Sequence, residues 1–238
     1  MELQRKTILV TRPLKQAAET IAEFERQGAT VIHIPLIEIV DPSDHYCALD
    51  EAIKRLYEYQ WLVFTSQNAV MQFFSRPAAP CAEELTLRVV AIGSTTEKLL
   101  RDLGIVNVVV ADEATSPGLL DTLSSYDIKG KRVLFPRAKE GNDVVADGLR
   151  RIGAHVDVVE AYRTIFPRHF DRGYFVSLIN EKKIDVVHVA SPSAVRHFMI
   201  VIDEEKLKEK IASLEFLAIG PTTADEVKRL GLTPRQQV

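Results

Sequence analysis

Three segments in the first half of the 238-residue sequence recur, in the same order, in its second half. Residues 8–31 align with residues 133–156, and residues 61–74 align with residues 186–199, both at an offset of 125. The third segment, AIGSTTEKLLRDLG, returns as AIGPTTADEVKRLG at an offset of 127, with seven of its fourteen positions identical. Three matches in one register indicate that the fold contains two copies of one structural unit.

Both repeats alternate short apolar runs with stretches that have the spacing of helices. This alternation is typical of buried parallel strands covered by helices on both faces of the sheet. The runs are residues 8–10, 31–34, 62–64, 89–92, 106–110, 133–135, 156–159, 186–189 and 216–219. The sequence therefore predicts an α/β protein with two doubly wound parallel sheets.

Composition and spacing exclude several classes of function. The formal net charge is −3 and no basic stripe is present, so nucleic acid is not expected as a partner. No apolar run reaches the roughly 18 residues of a membrane span, and the N-terminus lacks a signal-peptide core. We therefore expect a cytoplasmic protein with no membrane partner. Cys47 and Cys81 form no CxxC pair, and the six histidines are not spaced as ligands, so neither redox nor metal chemistry is expected.

Hydroxyl side chains are frequent in six loops that each follow a predicted strand. In doubly wound sheets such loops bind the ligand, and helix N-termini with hydroxyl groups favour anions such as carboxylates or phosphates. Neither GxGxxG nor GxxxxGK[ST] occurs, so no sequence motif supports a dinucleotide-binding or nucleoside triphosphate-binding site. The alternative for each Ser or Thr is an ordinary helix N-cap.

Two arginines and one tyrosine are candidates for chemistry. Arg12 and Arg137 end the first strand of each repeat, where a guanidinium can pair with a carboxylate; the alternative is a surface arginine packed on its neighbouring proline. Tyr162 lies just past a predicted strand, and a phenol can act as a proton donor, although a purely packing tyrosine is the alternative. GxSxG is absent, which disfavours covalent catalysis.

Seven motifs, in this order and spacing, resemble the uroporphyrinogen-III synthase family and extend over most of the chain. They are TRP at 11–13, FTSQNAV at 64–70, AIGSTT at 91–96, FPRA at 135–138, AYRT at 161–164, SPSAV at 191–195 and AIGPTTA at 218–224. The resemblance implies HemD-like, flavodoxin-like halves, with the first strand–helix–strand unit of each repeat exchanged and two extended linkers that permit domain motion. The implied domains are 1–35 with 167–238 and the inserted 41–159, with linkers at 36–40 and 160–166. Repetition alone predicts a division near Asp127.

The resemblance also implies a reaction in haem biosynthesis. The linear tetrapyrrole 1-hydroxymethylbilane, a polycarboxylate, loses water and closes to uroporphyrinogen III with ring D inverted, without a cofactor. A monomer that receives its substrate by transient hand-over from hydroxymethylbilane synthase is expected. Tyr162 then corresponds to the family's tyrosine that assists departure of the hydroxyl group. Substrate contacts are implied for Thr65, Ser66, Thr95, Thr96, Ser191, Ser193, Thr222 and Thr223, together with Arg12 and Arg137.

The end of the sequence departs from the family pattern. The family continues through a further strand and helix after AIGPTTADEVKRLG, whereas here the sequence reads GLTPRQQV. Either this sheet lacks an edge strand and its covering helix or the chain is shortened, which puts full activity in question. Three rival functions also stay open at this point: a two-domain binding protein for an anionic ligand, a sugar-phosphate or nucleotide transferase, and a regulatory fragment of a larger enzyme.

Overall fold

A computed structural model describes residues 3–236 of the chain. Its strands are β1 Thr7–Val10, β2 Thr30–His33, β3 Glu38–Val40, β4 Trp61–Phe64, β5 Arg88–Ala91, β6 Val108–Val110, β7 Arg132–Ala138, β8 His155–Ile165, β9 Val186–Val189, β10 Glu215–Ala218 and β11 Pro234–Gln236. Its helices are α1 Leu14–Arg26, α2 Cys47–Lys54, α3 Gln67–Phe74, α4 Ser94–Asp102, α5 Ser116–Ser124, α6 Val144–Arg151, α7 Arg172–Asn180, α8 Pro192–Glu204 and α9 Pro221–Arg229. None of these helices is long and apolar enough to cross a membrane.

The chain divides into two compact units. Unit 1 comprises the residues up to Ile39 and those from Ile165 onward, and unit 2 is Val40–Thr164. The sheet of unit 1 has the order β11-β10-β9-β1-β2, and the second sheet has the order β3-β8-β7-β4-β5-β6. In both sheets the first two strands of one repeat pair with the later strands of the other repeat, as β1 does with β9 and β7 with β4. A division near Asp127 is therefore not what the chain adopts.

The strand order confirms the predicted fold class. All pairings within the sheet of unit 1 are parallel, as are those from β8 through β6 in the second sheet. Numbered within unit 1, the order is 2-1-3-4-5, which is the flavodoxin-like doubly wound arrangement. In the second sheet the strands that correspond by the sequence repeat, β8-β7-β4-β5-β6, lie in the same spatial order although their order along the chain differs, and β3 is added at the edge.

Strands β7 and β8 continue beyond the apolar runs that predict them. They pair from Arg132↔His155 to Ala138↔Tyr162, with a β-bulge between Arg137 and Ala138. Tyr162 was expected just past a strand, and this expectation is wrong, because β8 continues to Ile165. Arg137 lies at the end of β7, one residue before its last, as the sequence predicts. The register passes from Arg137↔Glu160 to Ala138↔Tyr162, so the extra residue is Ala161 and β8 is the strand that bends, just before Tyr162.

The edge strand β11 corrects a second expectation. Phe216 of β10 pairs in parallel with Pro234, and the ladder continues to Gln236, so this sheet does have the edge strand that the family pattern suggested was missing. Proline is tolerated at the first residue of an edge strand, because no carbonyl oxygen of the neighbouring strand needs its missing N–H.

Both faces of the unit 1 sheet are buried. Leu9 faces the larger cluster with Val187 and Phe216, whereas its neighbours Ile8 and Val10 face the smaller cluster on the other side. Because side chains alternate along a strand, a strand that is apolar at every position must be covered by helices on both faces. The cluster of unit 2 is built in the same way around Trp61 and Phe135.

Helix α5 begins against its own preceding loop, and this contact requires glycine. The Thr115 hydroxyl accepts the backbone N–H of Gly118, which caps the helix. A Cβ atom added at Gly118 would lie 2.5 Å from the Glu113 carbonyl oxygen and 2.7 Å from the Glu113 Cβ. Backbone atoms at that distance cannot move aside without breaking the cap.

We therefore expect Gly118→Ala to lower the free energy of unfolding by about 1 to 3 kcal/mol. This loss runs against helix propensity, which favours alanine over glycine by about 1 kcal/mol. The matched control is Gly173→Ala in the first turn of α7, where the nearest atom lies 3.7 Å from the added Cβ and stability should be unchanged or higher. Urea titration of both variants checks the difference, and equal stabilities would contradict the steric argument.

Candidate functional site

Each sheet has one point at which the strand order reverses. In unit 1 the reversal lies between β1 and β9, and in the second sheet it lies between β7 and β4. The loops at the carboxyl ends of the flanking strands diverge there and leave a crevice, which is where doubly wound sheets bind ligands. The predicted site residues lie at or next to these ends in both units.

The phenol of Tyr162 reaches the beginning of α3. Its oxygen lies 3.0 Å from Ser66 Oγ, and the Asn68 side chain also hydrogen-bonds it. Tyr162 belongs to β8 and Ser66 follows β4, so this contact joins the strand ends on either side of β7. The sequence predicted both residues as site residues but gave no sign that they touch each other.

Burial controls the ionisation of this phenol. Tyr162 is 6% exposed, and desolvation raises its pKa, opposed by the hydrogen bonds from Ser66 and Asn68. The negative charge of Glu140 adds to the increase in pKa. The phenol is therefore protonated at neutral pH and can donate its proton.

The loops after β4 and β5 are joined to each other. The Gln67 amide donates to the Thr95 carbonyl oxygen at 3.1 Å, beside the exposed side chain of Thr95. Thr65 is half-buried, whereas Thr96 is buried in the first turn of α4. Of these predicted contacts, Thr65 and Thr95 present their hydroxyl groups more openly than Thr96.

Arg137 is bound by its own unit. Its guanidinium donates to the Asn142 carbonyl oxygen and to Asp143 Oδ1, both at 2.5 Å, and its side chain is 14% exposed. Both partners immediately precede α6, so Arg137 fixes the loop that leads into that helix. The carboxylate that Arg137 binds in the structure is thus Asp143 of its own chain, and its contact with a ligand carboxylate stays a prediction.

Arg12 occupies the equivalent place in unit 1 but has no such partner. Its Nη1 lies 3.5 Å from the Thr20 hydroxyl, and its buried Nε has no hydrogen-bond partner in the described part of the chain. Desolvation lowers the pKa of this guanidinium, and the charge of Glu19 opposes that effect. His33 Nε2 donates to the Arg12 carbonyl oxygen at 2.8 Å and holds the loop in place. A desolvated guanidinium with an unused donor is suited to an incoming anion.

The remaining predicted residues of unit 1 lie after β9 and β10. Ser191 caps α8 by accepting the backbone N–H of Ala194 at 3.3 Å. Thr222 is exposed and Thr223 is buried, which repeats the arrangement of Thr95 and Thr96. Ser191 therefore has a structural role as the N-cap of α8. The N-terminus of this helix lies at the carboxyl ends of the strands.

Sequence reasoning missed the surroundings of Ser193. Arg196 Nη2 donates to Ser193 Oγ at 3.0 Å, and Arg196 Nη1 donates to Glu226 at 3.2 Å. Arg229 also binds Glu226 and, with Arg196, lowers the pKa of that carboxyl group. The i, i+3 spacing of Ser193 and Arg196 on α8 was the available signal. No group of His, Cys, Asp and Glu residues among residues 3–236 is arranged to hold a metal ion.

The predicted residues fall into two groups. Tyr162 and Ser66 touch each other directly in unit 2, with Thr65, Thr95, Thr96 and Arg137 on neighbouring strand ends. Unit 1 holds Arg12, Ser191, Ser193, Thr222 and Thr223 after three adjacent strands, β1, β9 and β10. Both groups offer hydroxyls, backbone N–H groups and helix N-termini, which suit carboxylates.

Comparison with known families gives a match that extends over nearly the whole chain. Residues 18–237 match the model of the family described as uroporphyrinogen-III synthase HemD. A curated protein of Methanothermobacter thermautotrophicus, described as a uroporphyrinogen-III synthase, is 33% identical over 94% of this chain and 89% of its own length. The uroporphyrinogen-III synthase of Chlorobaculum parvum is 28% identical over 95% of this chain and 90% of its own length.

Solved structures show the same fold at lower sequence identity. A crystal structure of a mutant uroporphyrinogen III synthase from Thermus thermophilus is 17% identical, covers 97% of this chain and 91% of its own, and has a TM-score of 0.65. The Helicobacter pylori uroporphyrinogen-III synthetase is also 17% identical, with 98% and 92% coverage and a TM-score of 0.58.

The different surroundings of Arg12 and Arg137 predict different effects of removing each charge. Arg137→Met should lower the free energy of unfolding by about 1 to 2 kcal/mol, because two charge-assisted hydrogen bonds are lost. Arg12→Met should change it by less than about 0.5 kcal/mol or raise it, since a partly desolvated charge with an unpaired donor is removed. Urea titration measures both values. A loss for Arg12→Met as large as that for Arg137→Met would show that Arg12 has a structural role instead.

Proposed function

The chain belongs to the uroporphyrinogen-III synthase family, which acts in tetrapyrrole biosynthesis, and we propose that it converts 1-hydroxymethylbilane to uroporphyrinogen III with inversion of ring D. The observation that carries this proposal is the buried, protonated Tyr162 phenol at the beginning of α3. It is a proton donor located where the fold binds ligands. The proposed reaction needs a proton donor and a polycarboxylate site, and it needs no cofactor.

In the first step Tyr162 transfers its proton to the hydroxyl group of the substrate. The carbon–oxygen bond breaks, water leaves, and the substrate becomes an azafulvene cation. Attack by the substituted position of ring D forms a spiro intermediate, which fragments and closes in the inverted sense. The final loss of a proton from the substrate restores the aromatic pyrrole and returns a proton to the tyrosinate.

Glu140 is suited to stabilise the cation. Its carboxylate accepts the backbone N–H of Thr164 at 2.8 Å, and its charge acts on Tyr162. A negative charge held close to a developing cation lowers the barrier, although solvent screens the exposed Glu140 in part. Holding one folded geometry of a flexible substrate supplies the remaining acceleration.

The carboxylates of the substrate are proposed to bind at the carboxyl ends of strands in both units. Arg12 is the strongest candidate in unit 1, since its guanidinium has an unused donor. Hydroxyl and backbone N–H groups at the beginnings of α3, α4, α8 and α9 supply the other contacts, from the residues Thr65, Ser66, Thr95, Thr96, Ser191, Ser193, Thr222 and Thr223. Arg137 contributes indirectly, by fixing the loop before α6.

The proposal includes a cytoplasmic monomer whose two units act as the two domains of the family. A transient hand-over from hydroxymethylbilane synthase fits the chemistry, because the free substrate closes spontaneously without inversion. A rival proposal is a two-domain protein that binds an anionic tetrapyrrole without turnover. It has the same strand-end loops but does not need Tyr162 as a proton donor.

The first experiment supplies freshly prepared hydroxymethylbilane to the purified protein without added metal or cofactor. We expect uroporphyrinogen III to predominate after the products are oxidised and the isomers separated. Type I product alone, formed at the spontaneous rate, would contradict the proposed activity, and binding of the substrate without turnover would then favour the rival.

The second experiment tests the proton donor. Tyr162→Phe should lower kcat for type III product about a hundredfold, the contribution typical of a general acid. The control is Tyr59→Phe, which removes a similarly buried phenol that donates to Asp157 at 2.7 Å beyond the amino end of β4. It should keep the parent kcat. Equal activity of Tyr162→Phe and the parent would exclude Tyr162 as the acid.

A further inference from the structure

We propose that Ser66 and Asn68 are positioning residues that donate hydrogen bonds to the Tyr162 oxygen, so that the phenol keeps its own proton for another acceptor. The inference deepens the proposed function, because it says how the proposed acid is held. It concerns the direction of one hydrogen bond, which the 3.0 Å separation of the two oxygens leaves open.

The helix cap favours donation from Ser66 to Tyr162. A serine hydroxyl has one proton and two lone pairs. One lone pair of Ser66 Oγ accepts the backbone N–H of Ala69 at 3.1 Å, as the N-cap of α3. Of the hydrogen bonds that Ser66 Oγ makes within residues 3–236, the one to Tyr162 is the one in which it can act as donor.

Cooperativity reinforces this direction. When a hydroxyl oxygen accepts one hydrogen bond, its own proton becomes a better donor to the next group. The amide N–H of Ala69 therefore strengthens donation from Ser66 to the phenol. If Tyr162 donated instead, the Ser66 proton would lose the phenol oxygen as its acceptor, and the phenolic proton would be bound to Ser66 Oγ.

Asn68 acts from the same turn. Its side chain interacts with the phenol and lowers its pKa, and we assign its N–H group as the donor because a donated hydrogen bond stabilises the ionised form. Two donors on one phenol oxygen occupy its acceptor sites. The single phenolic proton then points to neither Ser66 nor Asn68.

The test uses Tyr162 replaced site-specifically by a fluorotyrosine, whose lower pKa and single fluorine signal allow the phenol to be titrated by ¹⁹F NMR. A donor to the phenol oxygen stabilises the phenolate, so its removal raises the pKa, whereas removal of an acceptor lowers it. We expect Ser66→Ala and Asn68→Ala each to raise the pKa of this phenol by about one unit. A fall, or no change, in both variants would overturn the proposal.

Two controls separate this effect from damage to the turn. Ser66→Thr keeps both the cap and the donor, and it should leave the pKa of the phenol at the parent value. Gln67→Ala removes the neighbouring side chain, which bonds Thr95 and not the phenol, and it should also leave that pKa unchanged. Equal shifts in Gln67→Ala and Ser66→Ala would attribute the effect to the turn and overturn the proposal.

Turnover tests the proposed function separately. Ser66→Ala should lower kcat by about threefold to tenfold, and it should have no further effect when combined with Tyr162→Phe. If Tyr162→Phe proves as active as the parent while the titration shifts are found, the role of Tyr162 as acid fails and the direction of the hydrogen bonds stands.

Discussion

Parallel pairing of fully buried strands is the constraint on which this structure depends. A strand such as β4, buried at every position, needs helices on both faces, and parallel neighbours need a crossover helix between them. Those two requirements direct the parallel strands of each sheet the same way and collect their carboxyl ends at one edge. Residues far apart in sequence, such as Ser66 and Tyr162, meet at that edge for this reason.

The two repeats have kept the same backbone and diverged in how they use it. The arginine that ends the first strand of each repeat is the clearest case, since Arg137 binds Asp143 within its own unit while Arg12 retains a buried Nε without a partner in the part of the chain described. The tyrosine is a second case, because β2 ends at His33, whereas β8 continues past the equivalent residue, Val158, and includes Tyr162. One unit thus holds a buried, hydrogen-bonded phenol and the other a guanidinium with an unused donor.

The apolar runs predicted most of the strands because a buried parallel strand contains little except apolar residues. The same rule explains what was missed. Strand β11 and the outer half of β8 mix polar with apolar residues, so no run marks them. The loop motifs predicted the site residues by type, but the partners of Arg137 and Tyr162 depend on a bulge and a turn whose shapes short-range patterns do not specify. Arg196 was overlooked because its partners are side chains on two different helices.

The discontinuous assembly of unit 1 also determines when each part of the protein can fold during synthesis. Unit 2 is one continuous segment and can fold as it leaves the ribosome, whereas β1 must wait for β9. At about 5 to 20 residues per second, the ribosome needs on the order of ten seconds or more to reach β9. Until then Ile8, Leu9 and Val10, all completely buried in the finished fold, belong to a strand without its central partner. The segment that forms β1 is accordingly exposed to chaperones and to aggregation until β9 has been synthesised.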